Sequence, residues 1–289
     1  MGYSGRYHAA SLAAVFIALA VGILIGIGLA DDVVSSASEE LESSLRSDLS
    51  DAQDRADSLQ SDLDRSDRFG SQIVPEVLAG RLQGRRVAVV ELGGTDEALV
   101  SAARDAVEAA DGELRAVAQI ALPPDEDALL DSLPPRFAGL KRDPEALSRI
   151  GEAVGRELSG GGPAIRSLES GLFARLSGNL RGVDAIVVAR VPPDDLSPGQ
   201  REETTTFETG ILDGIAASPA ADVGAELTST DPSTLAPMID AGIPTVDHLD
   251  LPAGEVALVY ALDGYEGNFG VKDQASAYLP DFERGPGSP

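Results

Sequence analysis

Asp247, His248 and Asp250 are the one place in this sequence where an imidazole stands among carboxylates, the usual beginning of a metal site or an acid–base pair. A single imidazole with no second nitrogen or thiolate beside it makes a poor transition-metal site. The three are therefore read as a solvated loop and kept only as weak metal candidates. The run Gly93-Gly94-Thr95 lies between an apolar strand and a helix, where a phosphate-binding turn would sit. It lacks the later glycines of G-x-G-x-x-G and the Gly-Lys-Ser/Thr of a P-loop, so it reads as a tight turn. Asp125, Glu126, Asp127 and Asp131 could attract a hard cation but do not have calcium-loop spacing. They suit the acidic start of a surface helix. The serines have no assignable base, since the chain holds only two histidines, and no G-x-S-x-G appears. No catalytic residue and no cofactor is expected, and the chain is not read as an enzyme.

Composition narrows the chemistry further. The 289 residues carry 22 Lys plus Arg against 48 Asp plus Glu, a net charge of −26. Such a surface repels polyanions, so nucleic acid is excluded as a partner. There is no cysteine, hence no disulfide framework and no thiolate site. Beyond the initiator, the soft ligands are His8, His248 and Met238. Lysine occurs only at Lys141 and Lys272, which reads as a nucleotide-composition bias without functional meaning. With aromatics at 4%, a core must be built from Ala, Val, Leu and Ile.

The elements fall into blocks. Residues 1–30 hold an uncharged run from Ala9 to Ala30. At ~1.5 Å per residue its roughly 22 residues span about 33 Å, enough for a hydrocarbon core. A cleaved signal peptide is the rival, but its apolar region is shorter, about 7–15 residues. Arg6 precedes the run and Asp31-Asp32 follow it, so a membrane signal anchor is expected. That makes the protein single-pass in a lipid bilayer, with the C-terminal domain outside the cytoplasm. Ala18, Gly22, Gly26 and Ala30 repeat a small side chain every fourth residue, as at a membrane-helix packing face.

Residues 31–68 read as a helical coiled-coil stalk. Leu45, Leu49, Ala52, Ala56, Leu59, Leu63 and Ser66 alternate steps of four and three, a heptad seam. Leu45, Leu49, Leu59 and Leu63 are its association residues, and a homo-oligomer through anchor and stalk is the expectation. The rival is a lone amphipathic helix. Phe69-Gly70 should end the stalk.

Residues 69–271 alternate strands with helices, which predicts a mainly parallel, Rossmann-like α/β domain. The expected strands are 85–92, 114–122, 183–189, 222–227 and 244–246. The expected helices are 96–110 capped by Thr95, one from Asp143-Pro144-Glu145 through Leu158, and one marked by Ile165, Leu168, Leu172 and Leu176. Three more are expected: from the Ser197–Gln200 capping box to Ile215, one capped by Asp231-Pro232, and 252–262. Residues 272–289 are expected to be a partly disordered C-terminal tail.

Arg6-Tyr7-His8 followed by SLAAVFIALAVGILIGIGL resembles the opening of the MctB-type family of actinobacterial copper-transport outer-membrane proteins. The resemblance continues through the heptad stalk, the strand at Val87, VDAIVVA, Thr245-Val246-Asp247, Pro252-Ala253-Gly254 and the closing GNFGV…LP. It implies a cell-envelope protein with copper ions as partner and a role in copper transport or homeostasis. The residues themselves leave a second class open, a structural or recognition scaffold with no direct metal transport.

Overall fold

The computed structural model describes residues 5–132, 146–162, 171–283 and 285, and divides into two compact units, 1–66 and 67–289. A single helix, α1 (Gly5–Leu78), runs through the first unit and into the second. It does not end at Phe69-Gly70. Glycine costs a helix only about 1 kcal/mol, and here the missing Cβ makes room for Pro252, whose Cβ would lie 2.6 Å away. Val74 and Leu78, one turn apart, are buried, and that burial carries the helix past Pro75.

The second unit is built on a seven-stranded mixed sheet. Its strands are β1 (Arg86–Gly93), β2 (Glu113–Ile120), β3 (Phe173–Gly178), β4 (Ala185–Val191), β5 (Val223–Ala225), β6 (Thr245–Val246) and β7 (Asn268–Phe269). Their order is β3-β2-β1-β4-β5-β6-β7, and every pairing is parallel except β2 with β3. The continuous apolar run of β1 and the VDAIVVA run are central strands buried on both faces, as parallel strands must be.

The helices are α2 (Glu97–Ala109), α3 (Glu126–Ser132), α4 (Ala146–Ser159), α5 (Pro198–Ala216), α6 (Ala236–Asp240) and α7 (Pro252–Leu262). One face of the sheet packs Val87, Val89 and Val187 against α2, α7 and the last turns of α1. The other packs Ala88, Val90, Ile186 and Val188 against α4 and α5.

Several local expectations change. Asp96, not Thr95, caps α2: its Oδ1 accepts from the N–H groups of Ala98 and Leu99, both at 3.0 Å. The Ser197 capping box forms as expected, with Ser197 Oγ taking the Gln200 N–H and Gln200 Oε1 taking the Ser197 N–H at 3.1 Å. Asp231-Pro232 caps nothing, since α6 starts at Ala236 without a side-chain cap. Leu172 and Leu176 do not share a helix face; Leu176 lies in β3, an antiparallel edge strand. Ile165, Leu168 and the cap Asp143-Pro144-Glu145 lie outside the described residues. Asp125 accepts the Ala128 N–H at 3.0 Å and opens α3, as its acidic run suggested.

Helices α4 and α5 meet through glycines on both sides. A Cβ on Gly151 or Gly155 would overlap the carbonyls of Phe207 or Ile211, and a Cβ on Gly210 or Gly214 those of Ser148 or Glu152. The backbones are in direct contact there.

Candidate functional site

Ligands of open α/β sheets bind beyond the carboxyl ends of the strands, most often where strand order reverses. That reversal lies between β1 and β4, at the Gly93-Gly94 turn. The Gly94 N–H, which a phosphate loop would aim at its ligand, instead donates to Val191 O at 2.8 Å. Gln119 Nε2 donates to Gly93 O at 2.8 Å, and buried Glu91 accepts the Asp96 N–H at 2.6 Å. Gly93 is required here: its φ is +96°, and a Cβ would overlap Val191 O. The turn is tight and its polar groups are used internally. Burial raises the Glu91 carboxyl above its ordinary range, opposed by the Asp96 hydrogen bond.

Further along the same edge, β5, β6 and β7 deliver Glu226, Asp247-His248 and Gly270-Val271-Lys272. Lys272 Nζ donates to Glu226 Oε1 at 2.7 Å, Leu227 O at 3.1 Å and Thr230 O at 2.6 Å, which satisfies all three ammonium protons. Glu226 Oε2 accepts from the N–H and hydroxyl of Thr234 at 2.7 and 3.0 Å. Asp247 accepts the N–H groups of Val271 and Lys272, each at 2.8 Å. A side chain on Gly270 would fall on the Asp247 carboxylate. Val271 and Lys272 are thus held against the sheet, and a bridge from Phe269 to Ala277 continues the contact.

The solvated-loop reading of Asp247 and His248 is overturned. His248 is fully buried and Asp247 nearly so, because both sit at the end of a covered strand. Asp250 is exposed and accepts the Thr228 N–H at 2.7 Å. The His248 ring stacks on Tyr278, with centroids 5.3 Å apart. Its Nδ1 lies 3.3 Å from Asp247 Oδ1, but among the described residues neither ring nitrogen has a hydrogen-bond partner. Burial lowers the imidazole's proton affinity more than Asp247 and Asp250 raise it, so a neutral ring is favoured. Among the described residues, no three His, Cys, Asp or Glu side chains group as a metal ion would need. Met238 is buried, where a Cβ on Gly224 would overlap its sulfur.

The other singled-out residues lie on α1. His8–Gly26 is long and apolar enough to cross a membrane. Ala18, Gly22 and Gly26 are exposed, while the side chain of Ala30 lies outside the described residues. Leu45, Leu49, Leu59 and Leu63 are 58–64% exposed in the single chain. Sequence reasoning missed Lys272 and Glu226. The rarity of lysine was the available signal.

Glu255, in the first turn of α7, is pushed up to about 7 by burial, with Asp105 adding repulsion. Its folded-state affinity for a proton is raised, so its contribution is most favourable below its unfolded value near 4.5 and is lost as pH rises through about 7. Discounted for its partial exposure, this is worth about 1 kcal/mol. Glu255→Gln is expected to raise the thermal midpoint at pH 8.5 and leave it almost unchanged at pH 5. An equal shift at both pH values would show that the charge is irrelevant.

The chain thus joins an apolar N-terminal helix to an α/β unit built on a seven-stranded mixed sheet. The chain matches the family model described as copper transport outer membrane protein, MctB, over residues 3–280, and it belongs to that family. It is similar to the copper transporters MctB of Mycobacterium tuberculosis and Mycobacterium bovis. Each is 25% identical over 312 aligned positions, covering 92% of this chain and 95% of the relative.

Proposed function

We propose that this chain is a single-pass, membrane-anchored cell-envelope protein that acts in copper ion transport or homeostasis and has no enzymatic activity of its own. The family match over nearly the whole chain carries this reading. The His8–Gly26 segment, with Arg6 before it and acidic residues after it, supports an anchor with the C-terminal domain outside the cytoplasm. The strand order supports a Rossmann-like ancestry for that domain, with its usual ligand crevice closed by Gly94, Val191 and Gln119. Leu45, Leu49, Leu59 and Leu63 repeat with the coiled-coil period and stand exposed, which supports self-association of stalks and anchors. The side chains favour passage of copper without tight coordination: His248 is sealed under Tyr278, and carboxylates are hard ligands for Cu(I).

Full-length protein reconstituted into liposomes loaded with a Cu(I)-responsive dye tests this. Copper entry above that of empty liposomes is expected, with loss of entry when Leu49 and Leu63 are both replaced by Asp. Charges buried in the seam would separate the helices. No entry with correctly inserted protein would leave the scaffold reading, which the self-closed carboxyl edge of the sheet favours.

A further inference from the structure

The opposite edge of the sheet, where β5, β6 and β7 begin, holds a cavity of about 580 Å³. That volume falls in the range of small-molecule sites, about 300–1,000 Å³. Its walls combine Ile215, Ile239, Ile243 and Tyr265 with two carboxylates, Asp222 and Glu266. Among the described residues, no Lys, Arg or His lines it. Helices α5 and α7 each return from the carboxyl edge and end beside it, at Ala216 and Leu262. The α5 C-terminus brings partial negative charge to this space; the α7 end does not, since the Arg85 guanidinium takes the Leu262 carbonyl at 2.9 Å.

Asp222 is 5% exposed and is fixed in place by the Ser159 hydroxyl and the Ile186 N–H, the latter at 2.8 Å. Desolvation pushes its carboxyl up to about 6, so a positive charge placed beside it would relieve an unfavourable ionisation. Glu266 is exposed at the rim. The acidic lining disfavours anions, and part-exposed Ile239 and Tyr265 suit an apolar body over a fully hydrated metal ion.

We propose that this cavity binds a small organic cation, an amine whose ammonium group lies between Asp222 and Glu266 and whose hydrocarbon body rests on Ile239 and Tyr265. The site is independent of copper handling and of the state of the stalk. Calorimetric titration of the full-length protein in detergent, with an empty-micelle blank, uses cyclohexylammonium, cyclohexanol and cyclohexanecarboxylate as probes. At about 0.15 M salt, diffuse attraction to the acidic surface is largely screened.

Saturable one-to-one binding of the ammonium is expected, at least about tenfold tighter than the alcohol, because a low-dielectric wall strengthens charge pairing. The carboxylate should not bind. Ile239→Trp, which fills the cavity, should abolish binding. Glu266→Gln, a change at an exposed position that leaves the fold intact, should weaken it several-fold. Equal affinity for the ammonium and the alcohol, no saturable binding, or full binding by the Ile239→Trp protein would each overturn the proposal.

Discussion

Gly155→Ala is expected to destabilise the α/β unit by about 2 kcal/mol or more, although alanine is the better helix former. The gain in helix propensity is about 1 kcal/mol. Against it stands a Cβ overlapping the backbone carbonyl of Ile211, an atom that no rotamer change can move aside. Overpacking of this kind typically costs about 1–3 kcal/mol and more where backbone must shift. Gly199 supplies the internal control. It lies in the first turn of α5, and a Cβ there meets nothing within 4 Å. Gly199→Ala should be neutral or slightly stabilising. Urea denaturation of the full-length protein, followed by circular dichroism, distinguishes the two. Similar midpoints for both variants would mean that the α4–α5 contact is looser than described.

Lys272→Met should be more damaging still. It leaves the Glu226 carboxylate 2% exposed and, among the described residues, with Thr234 alone as hydrogen-bond donor. Removing one partner of such a pair costs about 3–5 kcal/mol, because the remaining charge is stranded away from water. Adding Glu226→Gln removes that charge, so the double variant should regain most of the loss. If the double variant is as unstable as the single one, the cost lies in Lys272's bonds to the Leu227 and Thr230 carbonyls instead.

The sequence patterns that the fold obeyed were those set by nearest neighbours. Alternation of apolar runs with periodic segments marked β1, β4, α2, α5 and α7, and the Ser197 box marked a helix start to the residue. Patterns that depend on distant partners misled. Leu172 and Leu176 are four apart, as on a helix, yet the segment from Phe173 pairs antiparallel with β2 because that edge was open. Glycines at 151, 155, 210 and 214 argue against helices locally. They are admitted because each lets the facing backbone approach, a reason that exists only once both helices are present. The same holds at Asp247-His248, where charge and polarity suggested a loop in water. The covering groups, Tyr278 and the N–H groups of residues 271 and 272, come some 25–30 residues later, joined by a sheet edge rather than by sequence proximity.

The lock at Lys272 also sets an order of events. Glu226 is made well before its counter-ion, and β7, which aligns that counter-ion, follows every other strand of the sheet. A growing chain folds from its beginning, so until Lys272 arrives the nascent domain carries an unpaired acid at its closing edge and lacks its final strand. Completion of the sheet is therefore deferred until the stretch that carries β7 and Lys272 has been made, and its seal is the last of its contacts to form.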